Sequence, residues 1–181
     1  MIDRHRERPA DKLRLQATAL QMAGNNEKAI SILEQALEME PNYHPLKLDL
    51  AKNLIDLQRF EEAKQLLKEL PLNVQADKEV SELMAHFMFS SVAANAPSKE
   101  TLKMTLANTP EDLMARYQLS ACQVLEDDYE AALENLLELM RRNRKFEEDA
   151  GRKGILAVFT LLGNQGPVVS RYRGKMAALL Y

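Results

Sequence analysis

The 181-residue sequence has no tryptophan, one cysteine, only six glycines and only seven prolines. With Cys122 as the sole thiol no intramolecular disulfide can form, and a reducing cytoplasm is the expected compartment. No apolar run approaches the ~18 residues that would span a bilayer, so no membrane partner is expected. The opening stretch MIDRHRERPADK is charged where an export signal needs its apolar core. What fills the chain instead is Leu, Ala, Glu and Lys, the residues that form helices most readily, and the composition points to an all-α protein.

Charge is unevenly spread. Residues 1–140 hold 15 Lys/Arg against 24 Asp/Glu, whereas residues 141–181 hold 9 against 3, so local balances of −9 and +6 lie behind a net charge of −3. Such asymmetry can steer an acidic partner to one end, although basic residues near Arg141 also suit a helix C-terminus, where cations offset the helix dipole. Nucleic acid is not expected as a partner. The basic residues Arg141, Arg142, Arg144, Lys145, Arg152, Lys153, Arg171, Arg173 and Lys175 have no aromatic stacking platforms among them, and the chain as a whole is acidic.

A period of about 34 residues organises the rest. The stretch AGNNEKAISILEQALEMEPN has Gly24 at a turn, then Ala29, Leu33 and Ala36, and closes at Pro41. Before it, Leu13, Ala17 and Leu20 fall on one helical face. Two antiparallel helices with small residues at their crossing are the pattern of a tetratricopeptide repeat. A second copy puts Phe60 and Ala63 in its second helix and Leu50, Ala51, Leu54 and Leu57 in its first. A third is degenerate, with Leu83, Met84, Phe87 and Val92 in one helix, Leu102 and Leu106 in the next, and Ser98 at the small-residue position. The fourth, LEDDYEAALENLLELMRRN, has Tyr129 and Ala132. The anchors 29, 63, 98 and 132 are therefore 34, 35 and 34 residues apart. The expected organisation is a linker remnant at 1–8 and a helical domain over 9–181, with repeats at about 10–43, 44–77, 79–112 and 113–145. Helices within 147–181, ending one at Gly163 and starting the next at Pro167, would close the stack. The fold class is thus an all-α, tetratricopeptide-type helical-hairpin solenoid with a closing C-terminal helix pair.

No catalytic or metal chemistry is evident. His5, His44 and His86 are scattered, with His44 read as a loop residue before Pro45, and no phosphate loop, nucleophile elbow or Cys-x-x-Cys occurs. Cys122 follows Ala121 on an apolar helix and precedes Glu126, Asp127 and Asp128, the setting of a core residue and not of a reactive thiol. The acidic pairs Glu61/Glu62 and Asp127/Asp128 stand where carboxylates help cap helices. An enzyme is not expected, and no cofactor is implied. Some helical-pair proteins clamp an acidic C-terminal tail with Lys, Arg and Asn on their first helices. The corresponding positions here hold Arg14, Thr18, Asp49, Val80 and Met84, which do not make a carboxylate clamp. Met84, Met88 and Met104 could line an apolar client surface, but core filling is the expected role.

The last fifty residues carry a more specific signal. The repeat helix YEAALENLLELM, a basic segment, the D-x-x-RK stretch DAGRK, LLG before Pro167, and the ending SRYRGKMAALLY resemble the C-terminus of the YbbN/CnoX-type thioredoxin-fold co-chaperones. The resemblance implies a non-catalytic module that holds unfolding clients or docks to the chaperonin GroEL, with the DnaK system as a further partner. It also implies an N-terminal thioredoxin-like domain, which this chain lacks; MIDRHRERPADK resembles the linker that would follow it. The alternatives are an assembly scaffold with one dedicated partner, or the accessory domain of a thioredoxin-fold oxidoreductase. In the last helix, Val169, Tyr172, Arg173, Met176, Leu179 and Leu180 are the expected partner-binding residues. That helix is also expected to cover the preceding one, with its Ile155, Leu156, Phe159 and Leu162, since a solenoid end otherwise exposes its core.

Overall fold

A computed structural model describes residues 8–180. The expected linker remnant and His5, apart from Arg8 at its edge, lie outside the described residues, as does Tyr181. Among the described residues every regular element is a helix: α1 (Pro9–Met22), α2 (Asn26–Met39), α3 (His44–Asp56), α4 (Phe60–Lys68), α5 (Leu72–Gln75), α6 (Lys78–Ala93), α7 (Lys99–Asn108), α8 (Leu113–Leu125), α9 (Tyr129–Arg142), α10 (Ala150–Leu161) and α11 (Pro167–Ala178). The architecture is the expected all-α, helical-hairpin type. The chain divides into two compact units, Met1–Val80 and Ser81–Tyr181.

In the first unit α1 packs on α2, α2 on α3 and α3 on α4. Ala17, Ala29 and Ala63 are buried at these crossings beside Leu33, Leu46, Leu54 and Leu67. Small side chains there let backbones approach, while the leucines remove apolar area from water at roughly 25 cal/mol per Å². Pro71 stops α4 early, as its position requires, and a single unanticipated turn, α5, follows it. His44 is not in a loop; it is the first residue of α3, with Pro45 behind it in the first turn, where a missing N–H costs nothing.

In the second unit α7 packs on α8, α8 on α9, and α9 on both α10 and α11. One core cluster joins Phe89, Tyr117, Leu133, Leu136, Met140, Ile155, Val158, Phe159, Val169 and Tyr172. A smaller one gathers Leu102, Ala115 and Leu119, with Cys122 packed against it. Phe146 meets Tyr117 edge-on at 6.1 Å between ring centroids.

The same turn ends four helices. After α1, α3, α8 and α10 the residues Gly24, Gln58, Asp127 and Gly163 adopt φ between +58° and +77°. In each, the N–H of the following residue reaches back five positions, as in Asn25 to Leu20 and Asn164 to Phe159, and satisfies a carbonyl the helix would otherwise leave open. Two of the four positions are glycine, for which this conformation is free; Gln58 and Asp127 bear its cost. The end of α6 lacks such a turn.

Ser98 differs from the expectation. It is not the small residue at a helix crossing but the N-cap of α7, exposed, its hydroxyl accepting from the Thr101 N–H at 3.2 Å. In α2, α4 and α9 the crossing alanine stands four residues after the cap; in α7 that place is taken by Leu102, which is buried. The position four residues after the cap is thus residue 102 and not 98, and Leu102 packs there with Ala115 and Leu119 of α8. Asp112 caps α8 through the Ala115 N–H at 2.9 Å. Asp127 and Asp128 make no such side-chain cap; Asp127 instead accepts from the Tyr129 hydroxyl at 2.7 Å.

Candidate functional site

In the first unit the exposed faces of α1 and α3 border a groove of about 480 Å³ lined by Arg14, Leu15, Thr18, Gln21, Asp49 and Lys52. Its charges are spent internally. Arg14 Nε donates to Asp49 Oδ2 at 2.5 Å, and this bond raises the guanidinium pKa above its ordinary value. Gln21 donates to Asp56 at 3.3 Å. Both pairs join residues 35 apart, one more than the repeat period, and each links α1 to α3. Lys52 pairs with Glu79 at 2.7 Å, and the ammonium holds that carboxyl below its usual range. The lone basic residue at the clamp positions therefore already has its carboxylate, from within the chain.

In the second unit α11 lies along α9. The Tyr172 hydroxyl donates to Glu134 Oε1 at 2.8 Å, with the Glu130 carbonyl at 3.4 Å. Lys175 pairs with the same Glu134, and Arg171 with Glu130 at 2.7 Å. Lys175 first, then Tyr172, hold the Glu134 carboxyl below the ordinary range; burial and then Glu134 push the Tyr172 phenol up to about 12. Arg171 and Lys175 also stand over the Tyr172 ring, at 5.2 and 4.6 Å from its centroid. The polar anchors of the last helix are accordingly on α9; toward α10, the helix it is expected to cover, Arg173 stacks on the Phe159 ring at 5.5 Å and donates to the Asn164 carbonyl just beyond its end.

The expected partner-binding residues split by face. Val169 and Tyr172 are 0% and 2% exposed and belong to the core cluster, and Met176 and Leu179 pack against it. Arg173 and Leu180 are exposed, Leu180 at 46%. Between them Gly174, Ala177 and Ala178 form a bare, exposed face, and a Cβ added to Gly174 would meet nothing within 4 Å.

The glycines of α10 were not singled out by sequence reasoning, and they decide how the helix sits. A Cβ on Gly151 would stand 3.0 Å from both Cβ and N of Met140; one on Gly154 would stand 2.7 Å from Leu136 Cδ2. The close crossing of α10 on α9 depends on their missing side chains. The Gly-x-x-Gly spacing was the available signal. Before α10 the chain turns through three consecutive left-handed residues, Glu147, Glu148 and Asp149, at φ +43°, +54° and +72°. Each costs an L-residue of order 1–2 kcal/mol, so the corner is held by its surroundings: Asp149 pairs with Arg152 at 2.5 Å, and Ala150 N–H reaches the Phe146 carbonyl at 2.9 Å.

Cys122 is half-buried, and burial first, then Glu126, push its thiol up, opposite to what a nucleophile needs. His86 is exposed and contacts Ser90 Oγ at 3.2 Å. Met84 and Met88 are half-buried, and Met104 is exposed. Among the described residues no group of His, Cys, Asp and Glu is arranged to hold a metal, and no helix is long and apolar enough to cross a membrane.

Residues 20–87 match one family model described as tetratricopeptide repeat, and residues 92–181 match another of the same description. The chain is built of tetratricopeptide repeats. Such repeats are protein–protein interaction modules. Among solved structures, a domain of protein VP0806 (unknown function) from Vibrio parahaemolyticus is similar, with 24% identity, 94% of this chain and 99% of that chain covered, and a TM-score of 0.43. MamA is similar at 17% identity, with 96% and 93% covered and a TM-score of 0.38. No curated protein matches the sequence.

Proposed function

We propose that this tetratricopeptide-repeat chain is a non-catalytic chaperone-type binding module of the cytoplasm, recruiting a larger chaperone such as GroEL through the last helix and holding unfolded clients. The observation that carries the reading is the division of α11. Val169 and Tyr172 fix the helix to the core, while Arg173, Gly174, Ala177, Ala178 and Leu180 leave the opposite face open. A helix anchored on one side by apolar burial and a charged hydrogen-bond network presents its other side with little entropy left to lose on binding. The resemblance of SRYRGKMAALLY to the end of YbbN/CnoX-type co-chaperones supports the chaperonin as the partner and the DnaK system as a second.

The test is capture of purified GroEL by the immobilised chain and by an Arg173→Glu/Ala177→Glu variant, with circular dichroism on both. Capture by the parent and loss by a folded variant supports docking through this face. Equal capture would place the surface elsewhere. Absence of capture, together with protection of a single partner and of no other aggregating protein, would favour a dedicated assembly scaffold.

A further inference from the structure

At the corner where α9 ends and α10 begins there is an open cavity of about 370 Å³. Met140, only 1% exposed, contributes to its wall, and Leu180 stands at its edge. Three cations line it, Arg144, Lys145 and Arg152, with two carboxylates, Glu148 and Asp149. The carboxylates are engaged on the α10 side: Asp149 with Arg152 at 2.5 Å and Glu148 with Lys153 at 3.8 Å. Arg144 and Lys145, on the α9 side, are exposed and have no carboxylate partner among the described residues. The two acids belong to the left-handed run Glu147–Asp149, and the ion pairs they make are with α10 cations.

From this arrangement we infer that the α9–α10 corner binds an acidic segment of a partner protein, a carboxylate facing Arg144 and Lys145 and a neighbouring aliphatic side chain lying against Met140 and Leu180. The inference rests on the reading of the chain as a protein-binding module, but its cations lie off the α11 face, and the two surfaces share only Leu180 at their edge. Charge complementarity selects the occupant: two uncompensated cations at an apolar wall fit an amphipathic anion better than a neutral peptide. A protein segment is favoured over nucleic acid because the cavity offers aliphatic surface and no ring on which a base could stack.

The experiment titrates the full chain, ¹³C-labelled at methionine and leucine methyls, with a peptide alternating glutamate and leucine, its glutamine–leucine counterpart, and an oligothymidylate. The expected result is saturable shifts concentrated at Met140 and Leu180 with the acidic peptide. Affinity should be at least tenfold weaker for the glutamine peptide and should fall with added salt. Arg144→Ala/Lys145→Ala should weaken binding at least tenfold, while Lys12→Ala/Lys28→Ala, which removes the same charge from exposed sites in the first unit, should leave it unchanged. Equal affinity for the two peptides, no effect of the first variant, an equal effect of the second, or binding of the oligonucleotide alone would overturn the inference. GroEL capture by the Arg144→Ala/Lys145→Ala variant separates the two surfaces: retained capture with lost peptide binding leaves both readings standing. Lost capture by Arg173→Glu/Ala177→Glu, which leaves Leu180 in place, with normal peptide binding at the corner confines that change to the α11 face.

Discussion

Helices α10 and α11 are each twelve residues long and each has glycine in its interior, but the glycines do opposite things. In α10, Gly151 and Gly154 are buried and face the side of α9, where any Cβ would press on Met140 or Leu136. In α11, Gly174 faces open space. The first pair is required by packing inside the molecule, which compensates for the helix-weakening effect of glycine. The second has no such compensation, so α11 carries an intrinsic penalty and is held by what it does at its edges, through Val169, Tyr172 and the pairs to Glu130 and Glu134. A tightly seated helix and a loosely formed but well-tethered one thus stand side by side on α9.

The contrast breaks most visibly at Gly151. Gly151→Ala should destabilise the chain by about 1–3 kcal/mol, since both contacts are backbone or Cβ atoms that cannot swing aside; urea unfolding followed by circular dichroism measures it. Tyr172→Phe tests the tether. It should cost about 1 kcal/mol, the loss of one hydrogen bond to a partly solvated carboxylate, and should speed amide exchange in α11 more than in α10. Gly174→Ala should act in the other direction, raising stability by up to about 1 kcal/mol with the fold unchanged; if it destabilises, the open face of α11 is not open. A smaller effect is expected from pH. Glu134 has a folded pKa below its ordinary value near 4.5, so its contribution is present above that pH and fades as the pH falls through the folded value. Tyr172, raised from 10 to about 12, contributes fully below pH 10 and loses its share as the pH climbs toward 12. Loss of α11 signals at both extremes, ahead of α10, is the outcome to look for by NMR.

Which parts of this were readable from sequence follows the physics of each signal. Ala29, Ala63 and Ala132 were legible because a small residue between larger apolar ones at a fixed period has one economical explanation, and all three are buried. Pro167 and Gly163 marked helix ends through backbone chemistry that is local to them. Ser98 misled because a small polar residue serves equally as a crossing position or a cap, and only the missing left-handed turn after α6 decides between them. In the candidate site, the apolar stripe of α11 was legible, but which members would be consumed by the core was not. That depended on α11 settling along α9, which is set by Glu130 and Glu134 some forty residues away in sequence. The corner at Glu147–Asp149 was illegible for a related reason: three acidic residues carry no local preference for left-handed backbone, and only their ion pairs and neighbours impose it.

Cys122, the only thiol in 181 residues, lies half-buried against Leu102, Ala115 and Leu119, where α7 meets α8. It is thereby a built-in clock. Because burial disfavours its thiolate, a bulky thiol reagent should modify it chiefly when that small cluster opens, and the rate of mass increase reads the opening frequency of the α7–α8 seam without any engineered probe.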